Sequence, residues 1–270
     1  MSNAHESRFL DAHHHDQGHD PTDWTPVIEQ AFVERLLDVL ASRDVRTWSQ
    51  PVHELLAERL AVLEQQAATL VHNPMDVANV RFTALAVAAH EVLAPVLGGA
   101  EAASIVEDCL NGPLREQILT ATRAVLDEAD DPFAVLVATS KDREESYFGP
   151  SFRFEHALDD HHSYVLDVPG CLFHEALVAL GHPELQPILC RFDLNWADAI
   201  DPRRHHVRFV RPVTFASATT CRMVFTREEH LPGSVVGTPT DTDSTHRSDA
   251  RPESRSRPDR PNGSARAAAG

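Results

Sequence analysis

The feature that most constrains this 270-residue chain is a change of hydrophobic period near Tyr147. Before it, apolar residues recur every third or fourth position, as on a helix with one buried face. Ile28, Phe32, Leu36 and Leu40 mark one stripe, with Glu29, Glu34, Arg35 and Asp38 mostly opposite. Val52, Leu56, Leu60, Leu63, Ala67 and Leu70 mark a second, which runs to His72 and is broken by Asn73-Pro74. It begins near Ser49 with Pro51 in its first turn, where a missing N–H is tolerated. The spacing predicts a third helix over 77–97, rich in alanine for close packing and ended by Gly98-Gly99. Shorter helices are expected over 100–110 and 113–129, the latter stopped by Asp130-Asp131-Pro132.

After Tyr147 the period drops to two. Phe152, Phe154 and His156 alternate with polar residues, as do Tyr164, Leu166 and Val168, so 151–168 reads as a β-hairpin turning at Asp159 to His162. A short helix over 171–180 ends at Gly181, another opens at Pro183, and strands are expected over 206–214 and 220–226. Helices first and antiparallel strands later give an α+β fold: an N-terminal helical bundle packed against a small antiparallel sheet with short helices. The expected organisation is one domain over 24–226, a disordered His-rich leader over 1–23 and a disordered tail over 227–270, where Pro, Ser and Arg leave almost nothing to bury.

Composition narrows the function. A hydrophobic content of 42% supports a proper core. The net charge of -17 lies on residues 1–226, because seven acidic residues balance seven arginines from Arg227 onward. An acidic body repels phosphate backbones, so nucleic acid is not the expected ligand. No run approaches the ~20 consecutive apolar residues of a membrane span, and the polar N-terminus is unlike a secretory signal. The expected setting is the cytoplasm and the expected partner a small molecule, with self-association left open. Four scattered cysteines imply no disulfide framework.

Three of those cysteines fall in the part of the chain after Tyr147. Cys171 opens a helix, where free N–H groups favour a thiolate, and His174 lies one turn on as a candidate base or co-ligand. Cys190 and Asp193 repeat the spacing, and Cys221 opens the last strand. Either a nucleophilic thiolate works with a nearby base, or Cys171, His174, Cys190 and Asp193 gather around a divalent ion such as zinc or manganese. Arg208 and Arg211 have opposite strand parity, so one of them is expected to face a cavity and hold a carboxylate. The doublets His161-His162 and His205-His206 read as solvated loops, and Trp48, Trp196 and Phe209 as packing. Walker A, GxGxxG, GxSxG and HExxH patterns are absent.

The stretch from Cys171 through Leu180-Gly181-His182-Pro183-Glu184-Leu185 to Cys190 and Asp193 resembles the L-2-amino-thiazoline-4-carboxylic acid hydrolase family. That family reads a Cys and small helix, Leu-Gly-x-Pro-Glu-Leu, Cys-x-x-Asp, an Arg-x-x-Thr strand (here Arg211 to Thr214) and a final Cys (Cys221) opening an apolar strand. The similarity covers 164–225 and extends back to about Val77. The chain departs from it at Ser217 to Thr220, where family members carry Gly before the last Cys. The resemblance implies ring-opening hydrolysis of a cyclic amidine bearing a carboxylate, with Cys171, Cys190, Asp193 and Cys221 at family positions and His174 beside them. The alternative is a non-catalytic small-molecule-binding or sensor domain whose cysteines are structural or hold a structural metal.

Overall fold

A computed structural model describes residues 25–43, 48 and 50–228. The expected leader, and the tail from residue 229, lie outside the described residues. Helix α1 (Thr25–Ser42) buries Ile28, Phe32, Leu36, Val39 and Leu40 on one face. Helix α2 (Val52–Gln66) takes Pro51 as its N-cap and buries Val52, Leu56, Leu60 and Leu63. It ends six residues before His72. The stripe continues instead in a 3-10 turn, Ala68–Leu70, which keeps Leu70 against the core.

Helix α3 (Pro74–Leu97) starts three residues earlier than its alanine pattern indicated, because Asn73 and Pro74 form its start signal. The Asn73 side chain accepts N–H bonds from Met75 (3.0 Å) and Asp76 (3.2 Å). Asp76 answers by accepting from the N–H groups of His72 (2.8 Å) and Asn73 (3.2 Å), completing a capping box. The Ser151 hydroxyl also donates to Asp76, at 2.7 Å, tying the helix start to the entry of the sheet. Asp76 is wholly buried, so its removal strands three donors. Asp76→Ala is expected to lower the unfolding free energy by about 2 kcal/mol in urea titration. A loss below about 0.5 kcal/mol would show that water replaces the carboxylate.

From Val80 to His90 nearly every α3 side chain is buried, and Ala84, Ala86, Ala88 and Ala89 let neighbouring helices approach closely. By length and composition α3 is apolar enough to cross a bilayer, which a search for unbroken apolar runs overlooked. Here it is the central helix of the bundle, packed by α2 and by α4 (Gly99–Asn111). Helix α5 spans Arg115–Glu128.

Asp130-Asp131-Pro132 both stops α5 and starts a helix that the sequence reading left out, α6 (Pro132–Arg143). Asp131 caps it by accepting from Ala134 N–H (3.1 Å), with Pro132 at the first position. A π-helical turn, Glu144–Phe148, follows. Buried Asn79 of α3 donates to the carbonyls of both Tyr147 and Phe148 at 3.2 Å, fixing that turn on the bundle.

The sheet is antiparallel throughout, in the order β1-β2-β4-β3. Strands β1 (Arg153–Asp159) and β2 (Ser163–Gly170) form the expected hairpin. Its turn is held by Asp160, whose carboxylate accepts from His162 and Ser163 N–H groups, both at 2.8 Å. Tyr164, Leu166 and Val168 of β2 point inward with Cys221, Met223 and Phe225 of β4 (Cys221–Arg227). Between β2 and β4 lie α7 (Leu172–Ala179), a 3-10 turn (Pro183–Leu185), α8 (Gln186–Phe192), α9 (Pro202–His205) and β3 (Val207–Val213). The body runs past the expected boundary at 226: Arg227 belongs to β4 and grips Asp131 with two bonds of 2.9 and 3.0 Å.

Two cores result. The larger unites α1 to α4 with α7 and α8. The smaller lies between the inner face of the sheet and Leu126, Phe133 and Leu136 of α5 and α6. Phe154 touches both, and the seam it marks is where the pocket opens.

Candidate functional site

The pocket is a narrow cleft, partly open to solvent. Phe148, Phe152, Phe154, Phe173 and Phe215 form an aromatic wall; Cys171, Cys190, Asp193, Arg211 and Cys221 bring its sulfur and charged groups. Each comes from a different local device. Cys171 is the N-cap residue of α7, and Cys190 sits in the last turn of α8. Asp193 is the C-cap of α8, where Trp196 Nε1 donates to its carbonyl at 2.8 Å. Cys221 opens β4.

Arg211 is delivered by a bulge. Between Val210 and Val213 the register with β4 slips, so Arg211 and Pro212 stand where the partner strand has Met223 alone. Of the two arginines on β3, Arg208 is exposed and pairs with Glu228. Arg211 turns into the pocket and holds a carboxylate, that of Asp193, at 3.1 Å. Its guanidinium also donates to the Cys190 carbonyl and to Cys221 Sγ, both at 3.0 Å. Burial would lower the Arg211 pKa, but Asp193 and the adjacent sulfurs override it and hold the guanidinium firmly charged.

Asp193 has a second cation. Arg143, the last residue of α6, reaches its other oxygen at 3.2 Å and packs over the rings of Tyr147 (4.9 Å) and Phe148 (5.2 Å). Two guanidiniums thus share one carboxylate, leaving the pocket with a surplus positive charge inside an acidic protein.

The sulfurs are not equivalent. Gln186 Nε2 donates to Cys190 Sγ at 3.2 Å, and Gln186 Oε1 lies 3.0 Å from His174 Nδ1. With the amide turned this way, His174 Nδ1 carries the proton, and the imidazole reaches Cys190 only through Gln186. His174 does not line the pocket; it stacks on Phe215 with 4.9 Å between centroids. The sequence placed Cys171 as a thiolate at a helix start. The N–H groups of His174 and Phe173 do act on it in that sense, yet burial is larger and pushes the thiol up to about 12. Burial likewise raises Cys221 against the pull of Arg211.

Cys109 is buried in α4, and burial with Asp108 beside it pushes its thiol up to about 12. Below such a pKa the thiolate fraction grows about tenfold per pH unit. Alkylation of Cys109 and Cys171 by iodoacetamide, followed by peptide mass spectrometry, should therefore be slow at about pH 8 and accelerate near tenfold per unit up to about pH 11. Fast, pH-independent labelling of either would contradict these environments.

The four-donor metal reading does not fit. Among the described residues, Cys171, His174, Cys190 and Asp193 do not bring their donor atoms together around a common point. Asp193 is committed to two guanidiniums, whose charge opposes a cation there, and His174 is committed to Gln186. No step below passes through a metal in this pocket.

Other sequence candidates resolve simply. His161 and His162 are exposed in the hairpin turn. His205 is buried rather than solvated: its ring receives the Asp201 N–H (3.0 Å) and meets Asp127 at 2.9 Å, a structural tie between α9 and α5. Trp196 and Phe209 pack on Phe225. Sequence reasoning missed Arg143 and Gln186. A buried glutamine one turn before a cysteine on one helix face was a usable signal; Arg143, arriving from the overlooked α6, left none.

Residues 78–225, more than half of the chain, match the family model described as L-2-amino-thiazoline-4-carboxylic acid hydrolase. No curated protein and no solved structure gives a match. The matched span runs from α3 to β4 and contains every pocket residue named above, as well as Arg143. The chain belongs to the L-2-amino-thiazoline-4-carboxylic acid hydrolase family.

Proposed function

We propose that the pocket binds a small cyclic isothiourea carrying a carboxylate, of the aminothiazoline carboxylate type, and opens its ring by hydrolysis. The observation that carries this reading is the surplus cation around Asp193 beside a cysteine whose sulfur accepts an amide N–H. Asp193 suits the amidine nitrogens, and Arg143 with Arg211 suits the carboxylate. The aromatic wall suits a flat ring from which water is displaced.

Cys190 Sγ adds to the amidine carbon, and the ring bond from that carbon to sulfur breaks. The proton that Cys190 gives up ends on the departing sulfur, leaving an isothiourea on Cys190. Water then adds to the same carbon and the bond to Cys190 breaks, which restores the thiol and leaves a carbamoyl group on the substrate nitrogen. One water is consumed per ring. Gln186 steadies the developing charge on sulfur, and His174 is a positioning residue that fixes the Gln186 amide.

The test follows L-2-amino-thiazoline-4-carboxylate by mass spectrometry and by thiol release, with one thiol expected per ring opened. The same ring without its carboxylate should show kcat/KM lower by about a hundredfold, the worth of a lost charge-assisted contact. Binding of the ring without turnover would leave the non-catalytic reading standing and sink this one.

A further inference from the structure

A second donor cluster lies at the far end of α7. One ring nitrogen each of His90 and His182 and a carboxylate oxygen of Glu184 fall within 4.8 Å of one another. We propose that these three residues hold a divalent ion of the zinc type, with water completing the shell on the open side, in a structural site separate from the pocket.

Each donor is prepared by its surroundings. His90, on the buried stretch of α3, places Nε2 3.2 Å from the Gly99 carbonyl, so that nitrogen carries the proton. Its Nδ1 keeps a lone pair, is buried and has no hydrogen-bond partner among the described residues, while the residue as a whole is 9% exposed. An unsatisfied buried nitrogen is costly in a fold that gains nothing from it; a metal ligand requires that lone pair. The backbone carbonyl on the opposite nitrogen is the partner that metal-binding imidazoles use to fix tautomer and ring angle.

His182 is set by the end of α7. Gly181, at φ +82°, allows the chain to reverse there. Gly181 N–H then donates to Val178 (3.1 Å) and His182 N–H to Leu177 (2.8 Å), the bond pair of a Schellman ending. The His182 ring meets the His90 ring edge-on with centroids 5.3 Å apart. Its Nε2 lies 3.1 Å from Glu91, a carboxylate anchored by Arg59 at 3.0 Å, and its Nδ1 lies 2.8 Å from Glu184. With Glu91 accepting the Nε2 proton, Nδ1 is free to ligate beside Glu184, in the carboxylate–histidine–metal order.

Metal–ligand bonds of about 2.0–2.1 Å put tetrahedral donors roughly 3.3 Å apart, between the 2.8 Å of the His182–Glu184 pair and the 4.8 Å limit of the cluster, so a small adjustment suffices. The Glu184 side chain, 57% exposed, is free to supply it. Two neutral imidazoles and one carboxylate favour a borderline divalent ion over calcium or magnesium, which prefer oxygen. The ion would clamp the end of α7 to α3, while the other end of that eight-residue helix, about 12 Å away by helical rise, carries Cys171 to the pocket.

The competing arrangement is a protonated His182 held between Glu91 and Glu184 with no ion. Zinc titration of the full-length protein, Glu184→Gln and His90→Gln decides between them, read by bound zinc after chelating resin, by the visible bands of Co2+ and by Tm with and without EDTA. His13, His14, His15 and His19 offer further imidazole donors, so the difference between proteins is the measurement. Wild type should retain one more equivalent than either variant, bind it at least about tenfold more tightly, show four-coordinate Co2+ bands and lose several degrees of Tm to EDTA. Glu184→Gln alters an exposed side chain and keeps the test open should His90→Gln fail to fold. Equal zinc content and an equal, small EDTA response in wild type and Glu184→Gln would overturn the site. Ring-opening activity is not a readout, so the outcome is independent of the pocket's assignment.

Discussion

Cys190→Ala should lose at least about a thousandfold in kcat/KM for aminothiazoline carboxylate, the scale set by removing a nucleophile outright. The fold should survive, because the side chain is small and only the Gln186 N–H bond goes with it, a change worth about 1 kcal/mol. Asp193→Asn should be nearly as damaging, since a neutral amide cannot balance both guanidiniums. The two losses should not add, as expected of groups serving one step. Cys190→Ser is the sharper control: it keeps an acceptor for Gln186 and leaves a far weaker nucleophile, so activity should stay lost while Tm returns to wild type. Turnover near wild type in both Cys190→Ala and Asp193→Asn would remove these residues from the mechanism.

The second large effect is on stability. Arg211→Met should lower the unfolding free energy by about 3 kcal/mol, because breaking one side of a buried ion pair strands the other. Side-chain exposures of 9% for Arg211 and 11% for Asp193 place the pair among buried ones. The substitution also strips donors from the Cys190 carbonyl and from Cys221. Arg143 remains on Asp193 and limits the damage. Arg211→Lys keeps the charge but cannot serve three acceptors in one plane, so it should recover less than half of the loss. In the Arg211→Met/Asp193→Asn pair the losses should fall short of their sum by about 1 kcal/mol or more. A drop under about 1 kcal/mol for Arg211→Met in urea titration would mean that water replaces the guanidinium.

Most of the fold was legible because each element advertised its buried face locally. The stripe of α1, the alanines of α3, the alternation of β2 and the turn at Asp160 all act over a few residues. Helix α6 was hidden because Asp131 and Pro132 belong equally to the end of one helix and the start of the next, and it buries little beyond Phe133 and Leu136. Cys171, Cys190, Asp193 and Cys221 drew attention as residue types, and the structure sets them around one cavity. Their pairing with Arg211 and Arg143 was illegible, because it depends on a strand bulge and on a helix 50 residues upstream of Asp193. The same limit applies to His90 and His182, which lie 92 residues apart in the chain. Helix-end chemistry suggested a reactive Cys171; desolvation outweighs it once the surrounding protein is counted.

The bulge in β3 has an effect beyond aiming Arg211. Strand β3 is the last of the order β1-β2-β4-β3, so among the described residues one of its sides has no neighbour in the sheet. Such a border exposes amide and carbonyl groups that another chain can pair with, and regular, flat borders seed aggregation. Pro212 has no N–H to offer, and the slipped register twists the backbone at that point. An invading strand would find its ladder interrupted toward the C-terminal end of β3. The irregularity that brings a cation to the pocket therefore also guards one border of the sheet against strand addition, and replacing Pro212 with a strand-favouring residue would remove that guard.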